Sequence, residues 1–191
     1  MSPIQKLRLR RLSGQLGNYQ PQAAAFPDDP LGVAVCRLAI SALAAGNYGV
    51  GAVIADDNGQ ILIEAANGVF TPAFRSDGHA EMLAVDALER RMPDLAPMSL
   101  TLCVSLEPCP MCFTRLKLAG IGRIRYLSAD RAGGMAHLSG RLPKIWRLLN
   151  PEQDVAPAAV SPELQRIAWR LFLTNLRALR RKLVSRFQEP A

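Results

Sequence analysis

The chain has 191 residues, of which 49% are apolar, 20% charged and 6% aromatic, with 14 Gly, 14 Pro and 4 Cys. At this length a compact domain buries roughly 70% of its unfolded surface, so one hydrophobic core suffices and collagen-like, disulfide-scaffold and disordered readings drop out. The net charge of +7 resides in the ends: residues 1–30 hold four Lys/Arg against two acids, residues 161–191 seven against two, and the 130 residues between them twelve of each. A basic groove in the middle is therefore not expected, and the charged ends read first as solvated faces, with an RNA or membrane contact as the alternative.

In chain order, residues 1–27, with Gly14, Gly17, Pro21 and Pro27, show no sustained period and read as an arm. Polar residues 13–22 follow the basic Lys6–Arg11 stretch, and no apolar run nears the roughly 20 residues of a membrane span. Neither a signal peptide nor a membrane partner is expected, and the default compartment is the cytoplasm, where thiols stay reduced. Asp29-Pro30, a capping acid followed by proline, opens a helix whose apolar face includes Val33, Cys36, Ala39 and Leu43, and Gly46 stops it. Residues 51–55 and 60–65 are short β runs joined by Asp56-Asp-Asn-Gly59, where the Asn-Gly pair is expected to supply the positive-φ residues of a tight hairpin. A helix over 79–91 follows, then an apolar strand over 100–106, a helix over 110–119 and a strand over 123–127. The order β-β-α-β-α-β predicts a three-layer α/β/α sandwich around a central mixed sheet. Residues 142–149 read as a short helix, and Ser161-Pro162-Glu163 opens a last amphipathic helix with Leu164, Ile167, Leu171, Leu179 and Leu183 on its inner side. The expected organisation is an N-terminal arm (1–28), a catalytic domain (29–135) and a C-terminal helical extension packed on the same domain (136–191).

Chemistry concentrates in two short motifs, His79-Ala-Glu81 and Pro108-Cys-Pro-Met-Cys112. With this composition both together arise by chance in roughly one sequence in a thousand, and their combination is the signature of zinc nucleobase deaminases, one His and two Cys on the metal beside a glutamate that is not a ligand. Three protein ligands leave the fourth tetrahedral position free for water, as catalysis needs, whereas a structural zinc closes the site with a fourth residue. Cys109 and Cys112, three apart at a helix start, project from the same end, where the helix dipole favours thiolates. Two residues from the ligand His79, Glu81 is placed to take a proton from the metal's water and return it to a ring nitrogen. A redox Cys pair is the competing reading, and it leaves Glu81 without a role. Cys36 and Cys103 read as small apolar packing residues, His137 as a loop or surface histidine, and Asn47 as a helix C-terminal cap.

Asn47-Tyr-Gly-Val-Gly-Ala-Val-Ile54, Asn67, His79-Ala-Glu81, Leu106-Glu-Pro-Cys-Pro-Met-Cys112 and Gly120-Ile-Gly-Arg-Ile-Arg-Tyr126 resemble, in order and spacing, the cytidine deaminase-like superfamily, most closely its tRNA-adenosine, guanine and cytosine deaminases. The resemblance covers about residues 30–135. It implies zinc on His79, Cys109 and Cys112, proton transfer by Glu81, substrate binding by Asn67 and by the backbone at Ala80 and Ser105, and a supporting role for Glu107 at the metal loop. The implied enzyme is a cytoplasmic, homodimeric hydrolase of cyclic-amidine C–N bonds acting on a nucleobase, nucleoside or related amino-heterocycle. Adenosine in tRNA, gripped by the basic ends, is the alternative substrate, and a non-catalytic zinc-binding module is the alternative of another class. Gly78, where alanine is usual, and Gly49, where proline is frequent, depart from the pattern, and residues 1–28 and the last 30 match none.

Overall fold

A computed structural model describes residues 1–188. Five strands form one sheet in the order β2-β1-β3-β4-β5, with β1 over Gly51–Ala55, β2 over Ile61–Ala66, β3 over Thr101–Leu106, β4 over Arg123–Ser128 and β5 over Asp154–Pro157. β1 runs antiparallel to both β2 and β3, and β3, β4 and β5 are mutually parallel, so the sheet is mixed as expected. β5 escaped the sequence reading because a four-residue edge strand ending in proline carries no alternation to detect.

Alternate residues of the central strands feed two cores. Val53, Ala55 and Cys103 face one side, where α2 (Asp29–Ala44) and α6 (Pro162–Leu173) pack. Ala52, Ile54, Leu102 and Val104 face the other, against α3 (Ala80–Arg91) and α4 (Pro110–Leu118). This is the three-layer sandwich that the motif order predicts. Cys36 and Cys103 are fully buried free thiols, pushed above the ordinary thiol range by that burial, in keeping with a packing role.

The first 27 residues are not an unstructured arm. Pro3–Asn18 is a helix, α1, capped by a reciprocal Ser2–Gln5 box, and it buries Leu12, Leu16 and the following Tyr19 against α2 and α6. Its apolar period is too sparse to stand out, since Leu12 and Leu16 are the only helical residues it buries. Asp29, expected as a helix cap, instead lies inside α2, fully buried. Its carboxylate accepts hydrogen bonds from the Tyr19 hydroxyl, the Gln22 amide (2.9 Å) and the Ser161 amide (2.9 Å). One buried acid thus ties the chain after α1 to the starts of α2 and α6.

Two further expectations change. In the β1–β2 turn only Gly59 takes a positive φ (77°), and the Asp56 carboxylate closes the loop by accepting from the Asn58 and Gln60 amides. The single last helix is two: α6 ends at Leu173 and α7 (Leu176–Ser185) starts anew after Thr174-Asn175. There the Thr174 hydroxyl turns back to the Arg170 carbonyl, and the Asn175 amide donates to the Asn47 carbonyl (2.7 Å). The break lets α7 fold over the end of the sheet. Residues 144–148 form α5, and the final three residues of the 136–191 segment lie outside the described ones.

Candidate metal centre and active site

The carboxyl ends of β2, β3 and β4 open on one edge of the sheet, and the residues that follow them, Asn67, Glu107 and Asp130, line one cavity of about 240 Å³. His79 and Cys109 reach the same cavity from the N-cap positions of α3 and α4, with Cys112 in the first turn of α4. The Nδ1 atom of His79 stands 3.6 Å from Cys109 Sγ and 3.5 Å from Cys112 Sγ, and the three donor atoms lie within 4.8 Å of one another. A tetrahedral zinc ion with its usual N and S bond lengths sets such donors about 3.6 Å apart. The residues therefore fit zinc. Among the described residues no other group of three or more His, Cys, Asp or Glu is placed to hold a metal.

Cys109 is held down to about 4 by its hydrogen bond with Cys112, against the cost of burial and with help from His79. Cys112, the other partner in that bond and more deeply buried, is pushed well up. Burial alone would lower His79, but its bond with Cys109 and the charge of Glu81 turn it upward. Metal ligation requires both thiols deprotonated and the imidazole neutral, and a divalent cation would balance the two thiolates so formed.

Glu81 lines the cavity with 4% of its surface exposed, and burial pushes its carboxyl above the usual carboxylate range. Asn67 is buried at the cavity wall, its side-chain oxygen accepting from the Val69 amide (3.3 Å). Ala80 and Ser105 are buried behind the wall and do not line it, and the Ser105 hydroxyl accepts from the Gly51 amide (3.1 Å). Asn47 closes the α2 terminus through its amide, bonded to the Ala42 carbonyl, while its side chain accepts from the Phe70 and Thr71 amides and so fixes the loop leading to His79.

Two contributions escaped the sequence reading. His137 is no free surface residue: its Nδ1 lies 2.7 Å from Glu107 Oε1, and its amide donates to the same oxygen. Burial would raise Glu107, yet the bonds from His137 and from the Asp130 amide hold it below its ordinary range. Nothing in a lone histidine 30 residues downstream signals that partnership. The second is the far wall, where Phe172, Leu176, Arg180 and Leu183 close the cavity from α6 and α7. Arg180, one of the C-terminal charges read first as a solvated face, lines it. Gly49, one of the departures from the family pattern, is accounted for here: a Cβ at that position would lie 2.5 Å from the Leu171 carbonyl oxygen, so α6 packs directly on its backbone.

Residues 31–128 match the model of the cytidine and deoxycytidylate deaminase zinc-binding region, about half of the chain. The chain belongs to that family. It is 36% identical over 89 residues to the tRNA-specific adenosine deaminase of Bacillus subtilis, covering 47% of this chain and 54% of that protein. It is 31% identical over 118 residues to a probable cytosine deaminase of Schizosaccharomyces pombe, covering 61% and 68%. A guanine deaminase structure from Nitrosomonas europaea shares the fold, with a TM-score of 0.58, 19% identity and coverage of 92% and 94%. The chain spans about half the length of the Bacillus relative and 22% of another curated relative, a tRNA(Ile)-lysidine synthase of Deinococcus radiodurans. Zinc is the family's metal, and His79, Cys109 and Cys112 are placed to bind it. Among the described residues no helix is long and apolar enough to cross a membrane.

Proposed function

We propose that the chain is a hydrolytic deaminase that releases ammonia from a nucleobase, nucleoside or related amino-heterocycle. The observation that carries the reading is that the buried Glu81 carboxyl lines the same 240 Å³ cavity as His79 and Cys109, with Cys112 completing the cluster of possible metal ligands. Zinc, if held by His79, Cys109 and Cys112, would supply a Lewis acid that activates water. Glu81, whose proton affinity is raised by burial, accepts a proton at a carboxylate oxygen as water adds to the amino-bearing ring carbon. It delivers that proton to the ring nitrogen, and a further transfer to the amino group lets the C–N bond break, leaving a carbonyl and ammonia. Asn67 binds the substrate from the β2 end, and Glu107, oriented by His137, supports the metal loop. The volume falls below the roughly 300–1,000 Å³ of pockets that enclose drug-sized ligands, which suits a single ring system.

The test is an ammonia-release screen of the zinc-loaded protein over guanine, cytosine, adenine, their nucleosides and tRNA. Turnover of a free base or nucleoside is expected, and release from none of these substrates would defeat the reading. Adenosine in tRNA is the second reading, supported by arginines at both chain ends, and release from tRNA alone would establish it over the first. The reading extends to a homodimer, supported by the exposed Ile145 and Leu148 of α5 and checked by sedimentation, and to a cytoplasmic location, checked by cell fractionation.

A further inference from the structure

The two ends of the chain meet at a second cavity, which the proposed reaction does not use. α1 lays Leu12 and Leu16 into the core beside Leu164 and Ile167 of α6. On the outer side of that contact a cavity of about 320 Å³ is lined by Arg8, Arg11 and Gln15 of α1 and by Arg170, Leu173 and Thr174 at the end of α6. It is lined by three guanidinium groups and no carboxylate, and none of the three forms an ion pair among the described residues. The first 27 residues contain no acid at all. Arg75, Arg115, Arg123 and Arg125 each meet a carboxylate and the other described arginines do not, so what sets Arg8, Arg11 and Arg170 apart is that they line one cavity together.

All three arginines are exposed and line one cavity, and burial of the apolar side of both helices fixes their backbones there, so their like charges add to a local positive potential that favours an anion. The planar guanidinium fork matches the paired oxygens of a phosphate, and Gln15 and Thr174 add uncharged polar groups to the lining. Arg170 also lines an adjoining cavity with Arg166 and Trp169, which continues the basic surface along α6. There Trp169, 37% exposed, packs at 5.7 Å on Phe172, the residue that closes the zinc cavity from α6.

We propose that Arg8, Arg11 and Arg170 form a phosphate-binding site, separate from the zinc cavity, for a phosphorylated ligand. The phosphate comes either from a small molecule or from a nucleic-acid strand, whose next units would run along Arg166 and stack on Trp169. The site stands whether or not the zinc cavity deaminates any substrate.

The experiment is calorimetric titration of the full chain with inorganic pyrophosphate and, separately, with a 12-nucleotide single strand. The proteins compared are the wild type, the cavity variant R8Q/R11Q/R170Q and the charge-matched control R10Q/R177Q/R181Q. The cavity variant is expected to weaken binding of at least one probe tenfold or more, and the control less than twofold. If the strand is the source, its affinity also falls in R166Q/W169A, and the salt slope of log K drops by about 2 in the cavity variant, at roughly 0.7 for each phosphate that the three arginines neutralise. If a small molecule is the source, pyrophosphate binds and R166Q/W169A leaves its affinity unchanged. The ligand-free cavity variant is expected to melt no lower than wild type, because it removes repulsion. Equal losses in the two triple variants, no saturable binding of either probe, or a lowered melting temperature of the ligand-free cavity variant would each overturn the site.

Discussion

His79, Glu81 and Cys109, backed by Cys112, form one wall of the zinc cavity, whereas Phe172, Leu176, Arg180 and Leu183 form another. The first wall consists of chemically rare residues at fixed local spacing, held by helix starts and strand ends that any member of the family must build. The second consists of ordinary leucines, a phenylalanine and an arginine, and the break at Thr174-Asn175 brings Leu176, Arg180 and Leu183 to the cavity beside Phe172 of α6. On α7, Lys182 lies 4.8 Å from the Phe70 ring and Leu179 and Leu183 pack with Val69 and Phe70, while Arg186, just past the helix end, lies 3.9 Å from the Phe74 ring. These contacts latch α7 to the loop before His79 and leave Arg180 on the side that lines the cavity. Chemistry is thus confined to one wall, and the other shapes what can enter.

The largest effects are expected on the first wall. Cys112→Ala should abolish zinc retention, taking metal content measured by mass spectrometry from about one ion per chain towards none and ending turnover. Glu81→Gln should keep the zinc while turnover falls by about 10² to 10⁴, because an amide cannot accept the proton. Normal turnover in Glu81→Gln would move proton transfer to another residue.

The anchor of the second wall comes next. Asp29→Ala leaves the amides of Gln22 and Ser161 without their acceptor, leaves the Tyr19 hydroxyl with Ser161 Oγ alone, and frees the start of α6. The expected loss is about 3 kcal/mol, or roughly 6–12 °C in Tm for a chain of this size, read by calorimetry.

Arg180→Glu should lower kcat/KM about tenfold, mainly through KM, since it reverses the only Lys or Arg that lines the zinc cavity. Arg181→Glu, one residue on and outside the lining, should stay within twofold. Equal effects of the two would return α7 to the role of a solvated basic face.

The smallest effect concerns the brace between α3 and α4. Arg115 donates to both Glu89 oxygens, at 2.8 and 2.6 Å, and its guanidinium holds Glu89 below the usual carboxylate range. A depressed folded value means that the stabilisation is complete above the ordinary carboxylate range and is lost as pH falls through the folded value. Half of the Glu89 side chain is exposed, so Glu89→Gln should cost only about 0.2–1 kcal/mol at pH 7 and nothing at pH 2, measured by urea denaturation.

Much of this architecture is legible in the sequence, because its signals are local. Alternation in residues 123–127, the apolar run of 100–106 and the proline- and glycine-marked helix ends follow from backbone sterics and burial within a few residues. The zinc ligands and Glu81 are legible because Cys, His and buried Glu are costly outside a site that uses them. Long-range arrangements leave no such trace. His137 against Glu107, Asp29 as a buried acceptor shared by three partners, α1 docked by two leucines and Arg180 at the cavity are built from common residues whose partners lie far along the chain. Hydrophobic burial is non-directional and fixes that these surfaces must be covered, not which element covers them. The hydroxyl turn at Thr174 and the fit of α6 onto Gly49 decide which elements do so, and with them the shape of the cavity.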